Sequence, residues 1–114
     1  MKKYALGEFE EVVMLTVGVL YKEAYGVSIK EEIERRTKRS VSVGALQTAL
    51  KRLESKGYLS SYEGESTPER AGRPRKYFQI TALGKRAVEQ SRATRESLWK
   101  DIPKVALNLN VSGL

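Results

Sequence analysis

Residues 42–59, SVGALQTALKRLESKGYL, give the clearest indication of the fold. Ser42 is a favourable N-cap and Gly57 a favourable glycine just beyond a helix C-terminus, so the segment between them is predicted to be one helix. Apolar side chains recur along it at helical spacing and predict a buried face formed by Val43, Leu46, Leu50 and Leu53. A second face carries polar and basic side chains, namely Gln47, Thr48, Lys51 and Ser55.

The polar face of this helix is typical of a helix that lies in the DNA major groove. Gln47 can pair with adenine through two hydrogen bonds, and Lys51 can donate to guanine or to phosphate. Gly44, near the helix start, would let a phosphate or a base approach the backbone closely. An ordinary amphipathic helix with a solvated polar face would show the same pattern, so both interpretations stay open at this point.

Two further helices are predicted upstream. Apolar residues at helical spacing predict one from Glu8 to about Tyr21, with a wide apolar stripe that suggests contact on more than one side. Ser28 followed by Glu31 has the capping-box pattern and predicts the start of the second helix. That helix is predicted to end in the basic residues 35–39, which suit a helix C-terminus.

A hairpin and a last helix are predicted downstream. Alternating residues predict strands at 58–62 and 76–80, joined by a charged loop from 63 to 74. Thr81 is predicted to cap the last helix, and Pro103 to end it. Only a narrow stripe of apolar side chains runs along this helix, which extends over about 20 residues.

The order helix, helix, helix, strand, loop, strand, helix predicts a winged helix-turn-helix. The fold class is therefore mainly α with a small β-hairpin (α+β), ending in a C-terminal dimerisation helix. We expect a winged helix-turn-helix DNA-binding domain at residues 4–81 and the dimerisation helix at 82–103. The tail at 104–114 has no assigned role.

Composition and charge exclude several classes of function. The 114 residues include no cysteine and no histidine, which excludes disulfides, thiolate nucleophiles, Cys/His zinc sites and histidine acid–base catalysis. No other catalytic motif is present, so we expect a protein that is not an enzyme and needs no cofactor or metal. No apolar run reaches the roughly 18 residues of a membrane span, and acidic residues interrupt any signal peptide, so a cytoplasmic protein is expected.

Positive charge is concentrated in the middle of the chain. The net charge is −3 for residues 1–34, +7 for 35–76 and +3 for 77–114. The densest stretch is the loop RAGRPRK at residues 70–76, where Arg70, Arg73, Arg75 and Lys76 have no acid among them. Arginines in such a loop can enter a narrow minor groove of DNA or bind phosphates. The alternative interpretation is a mobile loop whose charges only increase solubility. Double-stranded DNA is the partner that we expect.

Three stretches resemble the PadR family of bacterial winged-helix regulators, in matching order and spacing over residues 4–88. They are YGVSI at 25–29, the segment 42–59, and GRPRKYFQITALG at 72–84. The resemblance implies a dimeric repressor of operator DNA, in which the last helix packs against the partner's first helix. The short C-terminal part favours the small-subtype architecture of that family.

The resemblance also implies which residues contact DNA. It maps Ser42, Gly44, Gln47, Thr48, Lys51 and Arg52 to the recognition helix, and Arg73, Arg75 and Lys76 to the wing. Family members usually carry a Tyr-led pair where this chain has Gln47-Thr48, so we expect different contacts at that point.

Trp99 is the one tryptophan and lies late in the last helix. Because some small members of the family bind flat aromatic compounds at the dimer centre, it is a candidate contact for a small aromatic effector. A tryptophan that simply packs in an interface is the commoner case.

Two other classes of function remain open on sequence alone. One is a winged-helix protein–protein module whose basic face meets an acidic partner. The other is a hydrolase or nuclease that holds a metal through Glu63, Glu65 and Glu69, although a flexible loop gives these carboxylates no rigid spacing.

Overall fold

The computed structural model describes residues 6–66, 68 and 71–109, and within them the predicted order of elements is present. The helices are α1 (Glu8–Leu20), α2 (Gly26–Thr37), α3 (Val43–Ser55) and α4 (Ala82–Asp101). The strands β1 (Leu59–Ser66) and β2 (Pro74–Ile80) form an antiparallel hairpin, which together with its connection is called the wing below. The predicted fold class, a winged helix-turn-helix of the α+β type, is confirmed.

The core lies between α1, α2, α3 and the base of the wing. Each helix contributes apolar side chains that are almost fully buried, and together they remove a large apolar surface from water, the main source of folding free energy. The side chains with the least exposure are Val13, Met14 and Val17 of α1, Ile29 and Ile33 of α2, and Leu46, Leu50 and Leu53 of α3. The core therefore fixes the angle at which α3 crosses the domain.

The predicted buried face of α3 is correct except at its first residue. Val43 is 61% exposed, whereas Ala49 is buried in its place beside Leu46 and Leu50. Val43 is the first residue of α3. The prediction of Ser42 as the N-cap is confirmed, because its hydroxyl accepts the Ala45 N–H at 3.0 Å.

The predicted start of α2 is wrong by three residues. The helix begins at Gly26 with Tyr25 as its N-cap, and Ser28 lies one turn inside. Ser28 still stabilises the start, because its hydroxyl accepts the Tyr25 N–H at 3.0 Å and donates to the Glu23 carbonyl at 2.6 Å. A serine can thus act on a helix start from inside the first turn.

The wing is longer than predicted. The strands were expected to stop at residue 62 and to resume at 76, yet Glu63 pairs with Lys76 and, after an irregularity, Ser66 pairs with Pro74. Gly64 permits this extension, because a Cβ there would lie 2.5 Å from Cε2 of Tyr77. A stretch rich in glycine and charge can therefore continue a strand when backbone pairing and a neighbouring ring hold it.

The last helix, α4, buries residues against the domain only along its first half. Thr81 caps it as predicted, accepting the Gly84 N–H at 3.0 Å, and the helix ends at Asp101. Gly84 and Ala87 are buried, whereas every residue from Arg92 to Asp101 is exposed. A 3₁₀ turn, Lys104–Leu107, follows, and residues 110–114 of the predicted tail lie outside the described residues. No helix in the described ranges is long and apolar enough to cross a membrane.

Candidate nucleic-acid interface

Hydrogen bonds fix both ends of α3 on the domain. Before its start, the Glu34 carboxylate of α2 accepts the Val41 N–H at 2.9 Å. This bond, supported by Lys30, holds the pKa of Glu34 below its ordinary value despite a smaller opposing effect of burial. Near the other end, Glu54 accepts the Ser61 hydroxyl at 2.7 Å, which ties α3 to β1.

A further ion pair fixes the end of α3 against α1. Lys56, directly after α3, binds the buried carboxylate of Glu10 at 2.9 Å. Burial alone would raise the pKa of Glu10, but the Gly7 amide and the Lys56 ammonium together hold it below its ordinary value. The helix is therefore presented in one fixed orientation.

The outer face of α3 is exposed and basic. The residues predicted to contact DNA from this helix all lie on the surface, namely Ser42, Gly44, Gln47, Thr48, Lys51 and Arg52. Among the described residues, nothing apart from its chain neighbours and its own helix backbone lies within 4 Å of the point that a Cβ on Gly44 would occupy. The one acid of α3, Glu54, is turned to β1 and to Lys76 of β2, so it does not neutralise this face.

The wing places its predicted contact residues in two different settings. Arg73 is exposed beside the turn formed by Ala71 and Gly72, both of which have a positive φ. Arg70 lies outside the described residues. Arg75 and Lys76 are the second and third residues of β2, and both contact the body of the domain.

Arg75 is half-buried against α2, and Lys76 is paired with α3. The guanidinium carbon of Arg75 lies 4.1 Å from the centroid of the Tyr25 ring. A hydrogen bond with the Tyr77 side chain is the main reason that the pKa of Arg75 is raised. The Lys76 ammonium lies 3.2 Å from Glu54. Tyr25 and Glu54 do not follow as partners from the sequence, because each lies in an element that is distant from β2 along the chain.

A cleft of about 220 Å³ joins the three elements that carry the predicted site. The start of α2, the middle of α3 and β2 line it through Tyr25, Gly26, Val27, Gln47, Arg75, Lys76 and Phe78. The structure therefore brings Gln47 together with the wing strand. Lys51 and Arg52 line a separate surface groove on the outer side of α3 with Thr48, Ser55 and Lys56.

Trp99 is far from this basic face, on the second half of α4. It is 69% exposed, and its neighbour Leu98 is 66% exposed. On α1, Leu15 and Val19 are about half exposed, which matches the wide apolar stripe predicted for that helix. The last attachment of α4 to α1 is the buried carboxylate of Glu11, which accepts the Ser91 hydroxyl at 2.9 Å and binds Arg95 at 2.8 Å.

The acidic residues of the wing form no metal site in the structure as described. No group of three or more acidic, histidine or cysteine side chains in residues 6–66, 68 and 71–109 could hold a metal ion. Glu69, the third carboxylate of the nuclease hypothesis, lies outside these ranges.

Comparison with known proteins identifies relatives across most of the chain. A family model described as the transcriptional regulator PadR-like family matches residues 15–90. An uncharacterized protein of Lysinibacillus sphaericus is 33% identical over 98 residues, which cover 84% of this chain and 83% of that protein.

Solved structures agree with this assignment. A PadR-like transcription factor from Bacteroides fragilis is 31% identical with a TM-score of 0.67, and the match covers 81% of this chain and 84% of that one. A PadR family transcriptional regulator from Eggerthella lenta is 27% identical with a TM-score of 0.65, covering 90% and 88%. The chain therefore belongs to the PadR-like family of transcriptional regulators.

Proposed function

We propose that this member of the family is a dimeric repressor that occupies a palindromic operator. In each half-site the outer face of α3 lies in the major groove, and the tip of the wing reaches the neighbouring backbone or minor groove. The observation that carries this proposal is the exposed, basic face of α3, which both helix ends hold in one orientation. Its cations would neutralise phosphates and release counterions, the usual source of affinity for DNA.

Each DNA-facing residue has a role that follows from its position. Gln47 is the candidate for reading a base edge, because amide side chains pair with adenine. Lys51, Arg52 and Arg73 are placed to meet phosphates. Gly44 leaves space for close backbone approach, and Ser42 and Thr48 offer hydroxyls.

Exposed apolar surfaces on α4 and α1 support a homodimer. The second half of α4 exposes Leu98 and Trp99, and α1 exposes Leu15 and Val19, so each protomer has apolar side chains that no described part of the chain covers. In a two-fold dimer α4 of one protomer would cover α1 of the other. We accordingly assign DNA binding to residues 4–81 and dimerisation to residues 82–103.

The two-fold axis also sets the form of the operator. The two copies of α3 would lie about one turn of DNA, ~34 Å, apart, and the half-sites would be inverted repeats. A small aromatic effector that stacks on Trp99 at the dimer centre would release the complex. The protein would act in the cytoplasm, where the bacterial chromosome lies.

The experiment is a selection of genomic fragments on the purified protein, followed by titration of the best fragment at several salt concentrations. We expect a tight, salt-sensitive complex with two protomers on an inverted repeat. Replacing Lys51 by Ala should lower the salt slope by about 1, and replacing Gln47 by Ala should relax preference at one position by about 1–3 kcal/mol.

Three results would contradict the proposal. Weak binding that is equal for all fragments would point to the alternative, a protein–protein module with a basic face. If the DNA-binding isotherms of Lys51→Ala and Gln47→Ala equal that of the native protein, α3 does not bind in the major groove. If only one protomer binds each site, the protein does not bind DNA as a dimer.

A further inference from the structure

The second strand of the wing carries two cations that the domain itself holds. Successive residues of a strand point to opposite faces, so Arg75 and Tyr77 share one face while Lys76 and Phe78 share the other. The first face meets the start of α2, where Arg75 lies on the Tyr25 ring. The second meets α3, where Lys76 pairs with Glu54. The wing is therefore fastened from both sides, close to its base.

Three tyrosines make a continuous row on the face that carries Arg75. Tyr62 and Tyr77 are partners across the hairpin, and their rings stack with centroids 5.6 Å apart. Tyr77 then meets Tyr25 edge-on at the same separation, and the two residues form an isolated antiparallel bridge. Beside this bridge the Phe78 N–H donates to the Ala24 carbonyl at 2.8 Å. The row runs from the wing to the segment that begins α2.

Arg75 closes this row, and the domain itself engages its guanidinium. Its Nε is sealed from solvent and, among the described residues, donates to no oxygen. Its guanidinium carbon lies over the Tyr25 ring, and Tyr77 on the same face of the strand is the main cause of its raised pKa. A planar guanidinium can stack on a ring and hydrogen-bond at its edge at the same time, which a lysine ammonium cannot do. A phosphate would have to compete with the Tyr25 ring for this guanidinium.

We propose that Arg75 is a positioning residue that fastens the wing to the start of α2 and so sets where the wing tip lies relative to α3. The proposal rests on the DNA-binding function above and refines it, because it takes Arg75 out of direct contact with DNA. Arg73, at the exposed tip, would carry the phosphate contact. The wing would then act as a fixed arm rather than as a loose basic loop.

The test compares four single variants on the selected operator: Arg75→Lys, Arg75→Gln, Arg73→Lys and Arg73→Gln. Affinity and its salt slope are measured for each. We expect both Arg75 variants to lose affinity by a similar factor, about fivefold to tenfold, with an unchanged slope. Arg73→Gln should lower the slope by about 1, while Arg73→Lys should keep it, since a phosphate contact needs charge more than shape.

A double-mutant cycle then identifies the partner of Arg75. Tyr25→Leu should weaken binding as Arg75→Gln does, and the two changes together should cost little more than one alone. Full affinity in Arg75→Lys, with a lower slope in Arg75→Gln, would instead assign Arg75 to phosphate and overturn the proposal. Unchanged affinity in Arg75→Gln would also overturn it.

A measurement without DNA separates this proposal from the function on which it rests. Arg75→Gln should speed hydrogen exchange at the Phe78 amide, whose bond to Ala24 lies beside the tyrosine row, while the core amide of Leu50 stays protected. Arg73→Gln should leave both amides unchanged. If exchange at Phe78 is faster in Arg75→Gln but the native protein binds no DNA specifically, the role of Arg75 in fastening the wing stands and the proposed function as a DNA-binding repressor is rejected. Unchanged exchange at Phe78 would reject the fastening.

Discussion

The helices α3 and α4 are held on the domain in opposite ways. α3 has a capped start, a carboxylate bond to Val41 just before it and an ion pair at Lys56 just after it, so it is held at both ends. α4 has a capped start and a packed first half, and from Arg92 onward it is exposed. The contrast shows two uses of an exposed surface, because a basic face on a fixed helix suits a rigid partner such as DNA, whereas an apolar face on a projecting helix suits a second protein surface.

The largest effect is expected at the packed half of α4. In Gly84→Ala the new Cβ would lie 2.1 Å from the Tyr58 carbonyl oxygen and 2.8 Å from Cε of Met14. Because a backbone atom must move, we expect a loss of about 3 kcal/mol in the free energy of unfolding. Urea unfolding at a fixed protomer concentration measures it.

The matched control for that change is Gly44→Ala at the exposed start of α3. Open space surrounds Gly44 in the described structure, so alanine should leave stability unchanged or raise it by less than about 1 kcal/mol. The two substitutions are chemically identical, and equal effects would show that α4 is not anchored where the structure places it.

A smaller effect is expected at the projecting half of α4. In Trp99→Ala we expect the dimer to dissociate at least about tenfold more readily, because exposed aromatic side chains often carry much of an interface's free energy. Helix content should stay the same, since the side chain is 69% exposed within the protomer. Analytical ultracentrifugation measures the dissociation, and circular dichroism the helix content.

Lys100→Ala is the control for Trp99→Ala, because it removes an exposed polar side chain from the next position of the same helix. It should leave the dimer intact. If Trp99→Ala has no more effect than this control, the projecting half of α4 does not carry the dimer.

The smallest effect concerns pH and the attachment before α3. The folded protein lowers the pKa of Glu34, so the carboxylate stabilises the fold above its ordinary pKa near 4.5 and that contribution disappears as the pH falls through the lowered value. Glu34→Gln should therefore be less stable than the native protein at neutral pH, with a difference that narrows as the solution becomes acidic. Thermal unfolding between pH 7 and about pH 3 tests this.

The exposed Glu31, on the same helix, supplies the comparison for Glu34. Glu31→Gln leaves the bond to the Val41 N–H in place, so its stability at neutral pH should be close to that of the native protein. A difference between native protein and Glu34→Gln that stays constant with pH would mean that the attachment of Val41 does not depend on the charge.

The sequence alone predicts the order of elements, because helical and alternating patterns record which faces the core covers. It also predicts the caps at Ser42 and Thr81, since each depends on a residue and its own helix start. It misplaces the start of α2, because Ser28 can bond back to Tyr25 as well as forward. The strands predicted from the sequence are too short, because glycine is typical of loops and the close contact between Gly64 and the Tyr77 ring arises only in the folded hairpin.

The candidate site was predicted as a set of residues but not as an arrangement. The exposed positions on α3 follow from helical periodicity and agree with the structure. The settings of Arg75 and Lys76 do not follow from their neighbours in sequence, because their partners, Tyr25 and Glu54, meet them only after the hairpin folds against α2 and α3. A run of cations in the sequence therefore does not show which of them pair with other side chains of the same protein.

The one-sided attachment of α4 makes this helix a lever. Beyond the buried Ala87 it continues to Asp101, a length of about 21 Å at the usual rise per residue. A tilt of only about 10° at the attachment would move the far end by about 4 Å, close to the ~3.4 Å spacing of phosphates along one DNA strand. In the proposed dimer, the contacts of Glu11 with Ser91 and Arg95 would set this tilt, so a small change at one carboxylate would shift the operator spacing that the two protomers can span by about one base pair.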